Sequence, residues 1–465
     1  MQNTYKGSGK EDLLFYAANL LCCIFLLLPA FYNGYPLLNS DFGTFLPSGF
    51  LPEMPVDRPI TYGILLRIFS LNGLSMWPVI FVQTFFVSIL ITKLVRHFYP
   101  QAYLLRSLIV VFILSCLTGL SWTASQLQPD IFTPVAFLCI AVLLIGEESK
   151  RNTILLCILY FISVATHISH VMIFFFLLCA LMVFMRKHFR ENKRRYFLLL
   201  TLTVVPILLM TVAISKSKHM FFMASALEKG ILKQYLDDNC GTKQLKLCAY
   251  KDKLPASGDD FLWEPWSPAM LEGGWKAVKS EYDQVNGDIM SSPKYLGMLA
   301  KSSARFTLIQ LGTFEIGPGN VPLGEGPYVI EGFNKYLPSE LDDFLSARQQ
   351  QGQLLSNIAA PDMVFKYFMI FCCVLGPILF FVARKRLPDG LGFFIFISLL
   401  IILINAWDCA TFAVINGRYG CRLAWLVPFT FILLIFALSA RRKASARNID
   451  YLSTKIPFCL TFTRP

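Results

Sequence analysis

Ten apolar runs, most of them near the length that a helix needs to cross hydrocarbon, punctuate this chain. They lie near residues 13–32, 76–96, 103–122, 131–146, 153–166, 168–185, 196–215, 362–383, 390–406 and 422–440. In hydrocarbon every backbone N–H and C=O must find a partner inside the chain, so such runs span as helices. The fourth and fifth are short, and the fifth and sixth nearly abut at Thr166-His167-Ile168-Ser169-His170. The pattern predicts an all-α polytopic membrane protein with about ten transmembrane helices. Composition agrees: only 15% of the 465 residues are charged and 55% are hydrophobic, with a mean hydropathy of +0.55. A soluble domain carries roughly 25% charged residues. A soluble enzyme, a disordered chain and a nucleic-acid-binding module are therefore excluded.

The net charge of +12 identifies no acidic partner, because basic residues gather on cytoplasmic loops. With the N-terminus inside, the inner segments contain Lys93, Arg96, Lys150, Arg151, the run Arg186 to Arg195, Arg384-Lys385-Arg386 and the tail Arg441-Arg442-Lys443. The short outer loops hold few. Ten spans with both termini cytoplasmic satisfy every loop. The first span has a mixed-charge flank and no small-residue cleavage site after Leu28, so it is expected to be retained rather than removed as a signal peptide.

This reading divides the chain into four parts. Residues 1–215 form a seven-helix module with a first outer loop at 33–75. A mainly helical extracytoplasmic domain covers 216–361, between the seventh and eighth helices. A three-helix module follows at 362–440, and a basic tail at 441–465. Cys240 and Cys248 lie close together in the outer domain, where an oxidising compartment would join them. Cys409 and Cys421 flank the last outer loop, and a second bridge there is an alternative. The remaining cysteines fall mostly in apolar runs and read as small buried hydrophobes.

Ionisable groups near spans are costly and usually need a partner or a purpose. Here they collect at the outer ends: Asp41 in Ser40-Asp41-Phe42-Gly43-Thr44, Asp57 and Arg58 before Pro59, Asp130 after Pro129, His167 and His170, and Arg418 and Arg422. Each also has a plain structural reading. Asp57 and Arg58 can pair locally, and Asp130 can start a helix. The histidines can be satisfied in a tight turn, although a spacing of three puts them on one helical face, as metal ligands or a proton relay would require. Arg418 and Arg422 depart from the charge rule. A phosphate site would explain them, and so would salt bridges to outer-domain acids.

A first-loop acid, a seven-span module and a large outer domain together resemble the GT-C superfamily of integral-membrane glycosyltransferases, which use polyprenyl-phosphate sugars. The resemblance covers the layout of the chain, and Asp41 is its residue-level match. A second likeness is to a group of bacterial multi-pass proteins without an established activity. It rests on Asp57-Arg58-Pro59 with Tyr62-Gly63, Pro129-Asp130-Ile131-Phe132, His167-Ile168-Ser169-His170, Cys248, Phe261-Leu262-Trp263, and Gly417-Arg418-Tyr419 with Arg422.

The resemblance implies a bacterial inner-membrane enzyme with membrane lipid and a lipid-linked sugar donor as partners. Asp41 would be the catalytic base, with Glu53 or Asp57 as a second acid. Arg418 or Arg422 would hold the donor phosphate. Arg58, Asp130, His167 and His170 would bind substrate, and the acids and histidines could hold a divalent cation. Trp263, Trp266 and Trp275 would offer a sugar-stacking surface or else pack a core. A transporter or flippase of a lipid-linked or anionic precursor, and a non-catalytic envelope assembly protein, are the alternatives.

Overall fold

The computed structural model describes residues 9–51, 55–317, 319–323 and 327–453. Glu53 and the last twelve residues of the expected tail lie outside them. The described residues form helices and no strand, apart from one isolated bridge between Leu37 and Gln126.

Each of the ten apolar runs falls on helix. Five helical stretches are long and apolar enough to cross a membrane: Trp77–Phe98, Lys193–Glu228, Gln353–Arg386, Leu391–Phe412 and Gly417–Ser439. Shorter apolar helices occupy Tyr103–Leu117, Pro129–Ile145 and Ile168–Phe184. Their outer faces remain apolar, with Leu208 76% and Phe381 62% exposed. Exposed apolar surface on this scale marks contact with lipid or partner rather than with water. Proline explains the break in the seventh run. Pro206 has no backbone N–H to continue the ladder, and the seventh run divides there into Lys193–Val204 and Pro206–Glu228.

The second of those helices continues beyond residue 215 to Glu228, so no break in structure marks the expected boundary. The segment 216–361 itself divides among three cores, the smallest of which takes Ile316, Leu354 and Ile358. Met220, Tyr235, Phe261, Tyr282 and Ile289 form a separate core for the part that contains the disulfide. Phe333 and Phe344 instead join the main core, stacked on each other at 4.3 Å between ring centroids. That later part is fastened to the first loop. Glu340 accepts hydrogen bonds from Tyr35 Oη (2.7 Å) and from the backbone N–H of Met76 (2.9 Å). Gln349 accepts from Leu38 N–H and donates to its carbonyl.

The first loop folds into two short helices, Phe42–Phe50 and Thr61–Phe69. They cross where Gly49 meets Gly63. A Cβ on Gly49 would clash with the Gly63 carbonyl, and one on Gly63 would clash with Ser48. The glycine in the Tyr62-Gly63 motif is thus a close-approach residue. It sets the spacing between Asp41, at the head of one helix, and Arg58, just ahead of the other.

Candidate functional site

Six charged side chains, drawn from three distant parts of the sequence, meet at one end of the bundle in strict alternation: Asp57, Arg58, Asp41, Arg418, Asp130, Arg422. Arg58 Nε donates to Asp57 Oδ2 at 2.9 Å, and Arg58 Nη1 lies 3.1 Å from Asp41 Oδ1. Arg418 Nη1 donates to the other Asp41 oxygen at 3.1 Å and to Gln128 Oε1 at 3.0 Å. Arg418 Nε stands 3.2 Å from Asp130 Oδ2, and Arg422 Nη1 donates to Asp130 Oδ1 at 2.8 Å. Asn405 Oδ1 closes the chain by accepting from Arg422 Nε (3.0 Å) and Nη2 (2.7 Å). Three carboxylates face three guanidiniums, so the formal charges balance.

Local structure explains how each member reaches the site. Asp41 stands at the N-terminus of its helix but makes no capping hydrogen bond. Its carboxylate is turned to the two arginines. Asp130 likewise leaves the start of its helix uncapped and binds arginines instead. Arg418 and Arg422 are four residues apart on helix Gly417–Ala424, hence on one face, where they bracket Asp130. Asn416 caps this helix by accepting from Arg418 N–H at 3.0 Å. Gly420 lets it lie directly against the backbone of Thr313 and Phe314, since any Cβ there would clash with the Thr313 carbonyl. The Tyr419 ring is 5.2 Å from the Arg418 guanidinium and 5.3 Å from that of Arg422. Both distances are within cation–π range.

Burial alone would push the Asp41 carboxyl up, but Arg58 and Arg418 outweigh it and hold the group well below the usual carboxylate range. Asp259, on helix Gly258–Trp263, shows the opposite behaviour. Desolvation raises its carboxyl, the nearby Arg418 works against this, and the Asp41 charge raises it further. Both influences bring Asp259 within the electrostatic reach of the site. By sequence alone it falls within the outer segment 216–361.

Three buried donors at this site have no hydrogen-bond partner: Tyr62 Oη, Gln128 Nε2 and Arg418 Nε. The last faces Asp130 at ion-pair distance but outside hydrogen-bonding geometry. Such orphans are rare in folded proteins and commonly mark a place for a ligand or water. A cleft of about 210 Å³, counted to its open mouth, borders Arg418 and is lined by Trp122, Gln126, Glu315 and Cys421.

The histidines play different parts. His170 Nδ1 donates to the Ser163 carbonyl (2.8 Å), and its Nε2 accepts from the Thr133 hydroxyl (2.7 Å). Both ring nitrogens are committed inside the bundle, which leaves none for substrate or metal. His167 Nδ1 accepts from Ser169 N–H at 3.2 Å and so caps the next helix. Burial pushes His167 down to about 4, so it is neutral near pH 7. Its Nε2 carries the proton and is its one remaining donor. The two rings lie 5.4 Å apart but share no ligand geometry.

A divalent cation does not fit these side chains. Every carboxylate of the six is engaged by at least one guanidinium, and a cation at Asp41 would meet Arg58 and Arg418. No group of three or more His, Cys, Asp and Glu suited to a metal occurs among the described residues.

The structure joins Cys240 to Cys248 with an S–S distance of 2.01 Å. Cys409 and Cys421 are free thiols. Arg422 Nη2 approaches Cys409 Sγ at 3.6 Å, whereas Cys421 Sγ faces the Gly119 carbonyl, so the two sulfurs serve different contacts. Trp263 packs on Trp275 at 5.0 Å with its other face half-exposed, and Trp266 is exposed.

Gln128, Asn405 and Tyr62 also belong to the site; in the sequence they stand out only as polar residues beside the charged ones at the ends of the apolar runs. The chain matches no family model, no curated protein and no solved structure.

Proposed function

We propose that this chain is a GT-C-like glycosyltransferase of the bacterial inner membrane. It crosses the membrane ten times with both ends in the cytoplasm, and its charged site faces outward. It moves a sugar from a polyprenyl-phosphate donor to an acceptor hydroxyl. The observation that carries the reading is the position of Asp41 between two guanidiniums, beside three unpartnered donors at the edge of an apolar bundle.

The chemistry follows from exchange of partners. A general base works best with a pKa near the working pH, and a carboxylate held by two arginines is too weak a base. A donor phosphate that takes Arg418 removes one of those cations. Asp41 then becomes more basic at the moment the donor arrives. The acceptor hydroxyl gives its proton to Asp41 and its oxygen bonds to the anomeric carbon. The bond from that carbon to the phosphate oxygen breaks, and the electron pair stays on the leaving polyprenyl phosphate. Arg418, with Gln128 and Tyr62 as donors, stabilises the charge that develops there.

The test is release of polyprenyl phosphate from radiolabelled polyprenyl-phosphate sugars in membranes that contain the chain. Asp41→Asn is expected to lower release by about 10²-fold or more, the range for loss of a general base. Equal release from the folded variant would end the assignment.

A transporter is the second reading, favoured by one observation: the alternating chain ties the first loop to helix Gly417–Ala424, as a gate would. In that case the donor changes leaflet chemically intact, and no polyprenyl phosphate is released.

A further inference from the structure

A second cleft lies at the opposite end of the bundle, away from the six-residue chain. It measures about 330 Å³ counted to its open mouth, and Leu143, Cys157, Leu198 and Leu199 supply its apolar walls. Arg195 stands at its edge. Its Nη1 donates to the carbonyls of Leu143 (3.0 Å) and Gly146 (3.3 Å), at the C-terminal end of helix Phe132–Ile145. Those contacts fix the guanidinium in place and use one nitrogen. Nε and Nη2 have no protein partner among the described residues. Thr153 and Cys157 lie one turn apart on helix Lys150–Ala165, so the cleft runs from the charged edge toward the apolar middle of the bundle.

The one acid in the lining is Glu148, and it is already matched. Lys93 Nζ binds its carboxylate at 2.8 Å, and Asn152 Nδ2 donates to it at 2.9 Å. In the chain segments that border the lining residues, Lys150, Arg151, Lys193, Arg194 and Arg195 outnumber Glu147 and Glu191. A positive edge above an apolar slot complements an anionic headgroup joined to an acyl chain. Basic pockets between membrane helices recognise such lipids.

We infer that this cleft is a binding site for one anionic phospholipid, with its phosphate on Arg195 and an acyl chain along Cys157, Leu198 and Leu199. The inference does not depend on glycosyl transfer, because the two sites share no residue. A free phosphate would meet the same guanidinium but would gain nothing from the apolar walls.

The experiment equilibrates the purified full chain with vesicles of equal phosphatidylglycerol and phosphatidylcholine. Retained lipid is then counted by native mass spectrometry. The wild type is expected to enrich phosphatidylglycerol about fivefold, the contribution of one engaged cation near a membrane surface. Arg195→Gln should abolish the enrichment. Leu198→Trp, at a half-exposed position that leaves every charge in place, should block the slot and abolish it too. Lys193→Gln, outside the lining, should leave it unchanged. Enrichment that survives Leu198→Trp, or that falls equally in Lys193→Gln, would overturn the proposal in favour of a diffuse basic belt. Displacement by glycerol phosphate as readily as by the whole lipid would overturn the role of the acyl chain.

Discussion

Arg422 and Asp130 form an ion pair at 2.8 Å with both side chains almost wholly buried, at 1% and 4% exposure. The residues are 292 positions apart, and the contact ties the last helices of the chain to the turn at Pro129. The rest of the charged site is built outward from this pair.

Breaking it from one side should be costly. Asp130→Asn leaves the buried Arg422 charge with only neutral hydrogen-bond partners, Asn405 among them, and loss of one member of a buried pair typically costs about 3–5 kcal/mol. The expected result is a marked fall in the melting temperature of the detergent-solubilised protein. Asp130→Leu combined with Arg422→Met should recover much of that loss, since removing both charges avoids the unpaired one. A double variant no more stable than Asp130→Asn would show that the pair is not the source of the effect.

Asp41 should behave differently because it is partly exposed, at 29%. Its folded carboxyl is held below its unfolded value of about 3.9. A depressed carboxyl contributes stability that is present above the unfolded pKa and is lost as pH falls toward the folded pKa. Melting temperatures of the wild type and Asp41→Asn are therefore expected to differ by a constant amount from pH 7 to about pH 5, and to converge below about pH 4. Convergence on raising the pH instead would contradict the ion-pair geometry.

The crossing at Gly49 and Gly63 gives a test of geometry without charge. Gly63→Ala forces the two first-loop helices apart, an overpacking cost of about 1–3 kcal/mol. Because Asp41 and Arg58 ride on either side of the crossing, polyprenyl-phosphate release should fall even in membranes where the variant accumulates normally. Normal release would mean that the spacing of these two residues does not matter to the activity.

The disulfide closes a short loop within the separate core around Tyr235 and Phe261. Loop-closure entropy for such a ring gives about 2–3 kcal/mol. Cys240→Ser with Cys248→Ser should speed hydrogen exchange in helices Ile231–Asn239 and Trp275–Ser291 while leaving the apolar helices protected. Equal loss of protection throughout would show that this core and the apolar helices unfold as one.

Much of the site's membership was legible in the sequence, because charges that interrupt or border apolar runs are conspicuous. Asp41, Asp57, Arg58, Asp130, Arg418 and Arg422 all stand out on that ground. Their partners were less visible. Gln128, Asn405 and Tyr62 are neutral and common at helix ends, and nothing local marks them as ligands of a guanidinium or as orphaned donors. The histidines show the limit of spacing arguments. His167 and His170 have the separation for one helical face, yet one caps the helix and the other is bound by Ser163 and Thr133.

By itself the sequence determined where helices form, since apolar runs, prolines and glycines act within a few residues of themselves. It also indicated the disulfide, because two cysteines eight positions apart need no distant information to meet. Only the tertiary structure decided that Arg418 meets Asp41 across 377 positions, and that Asp41 lies between two cations rather than alone in a loop. Ion pairs are set by which helices pack together, and helix packing is set by shape over the whole bundle. A carboxylate's chemistry depends on charges within a few ångströms of it. No property of its own neighbours in the chain could supply that.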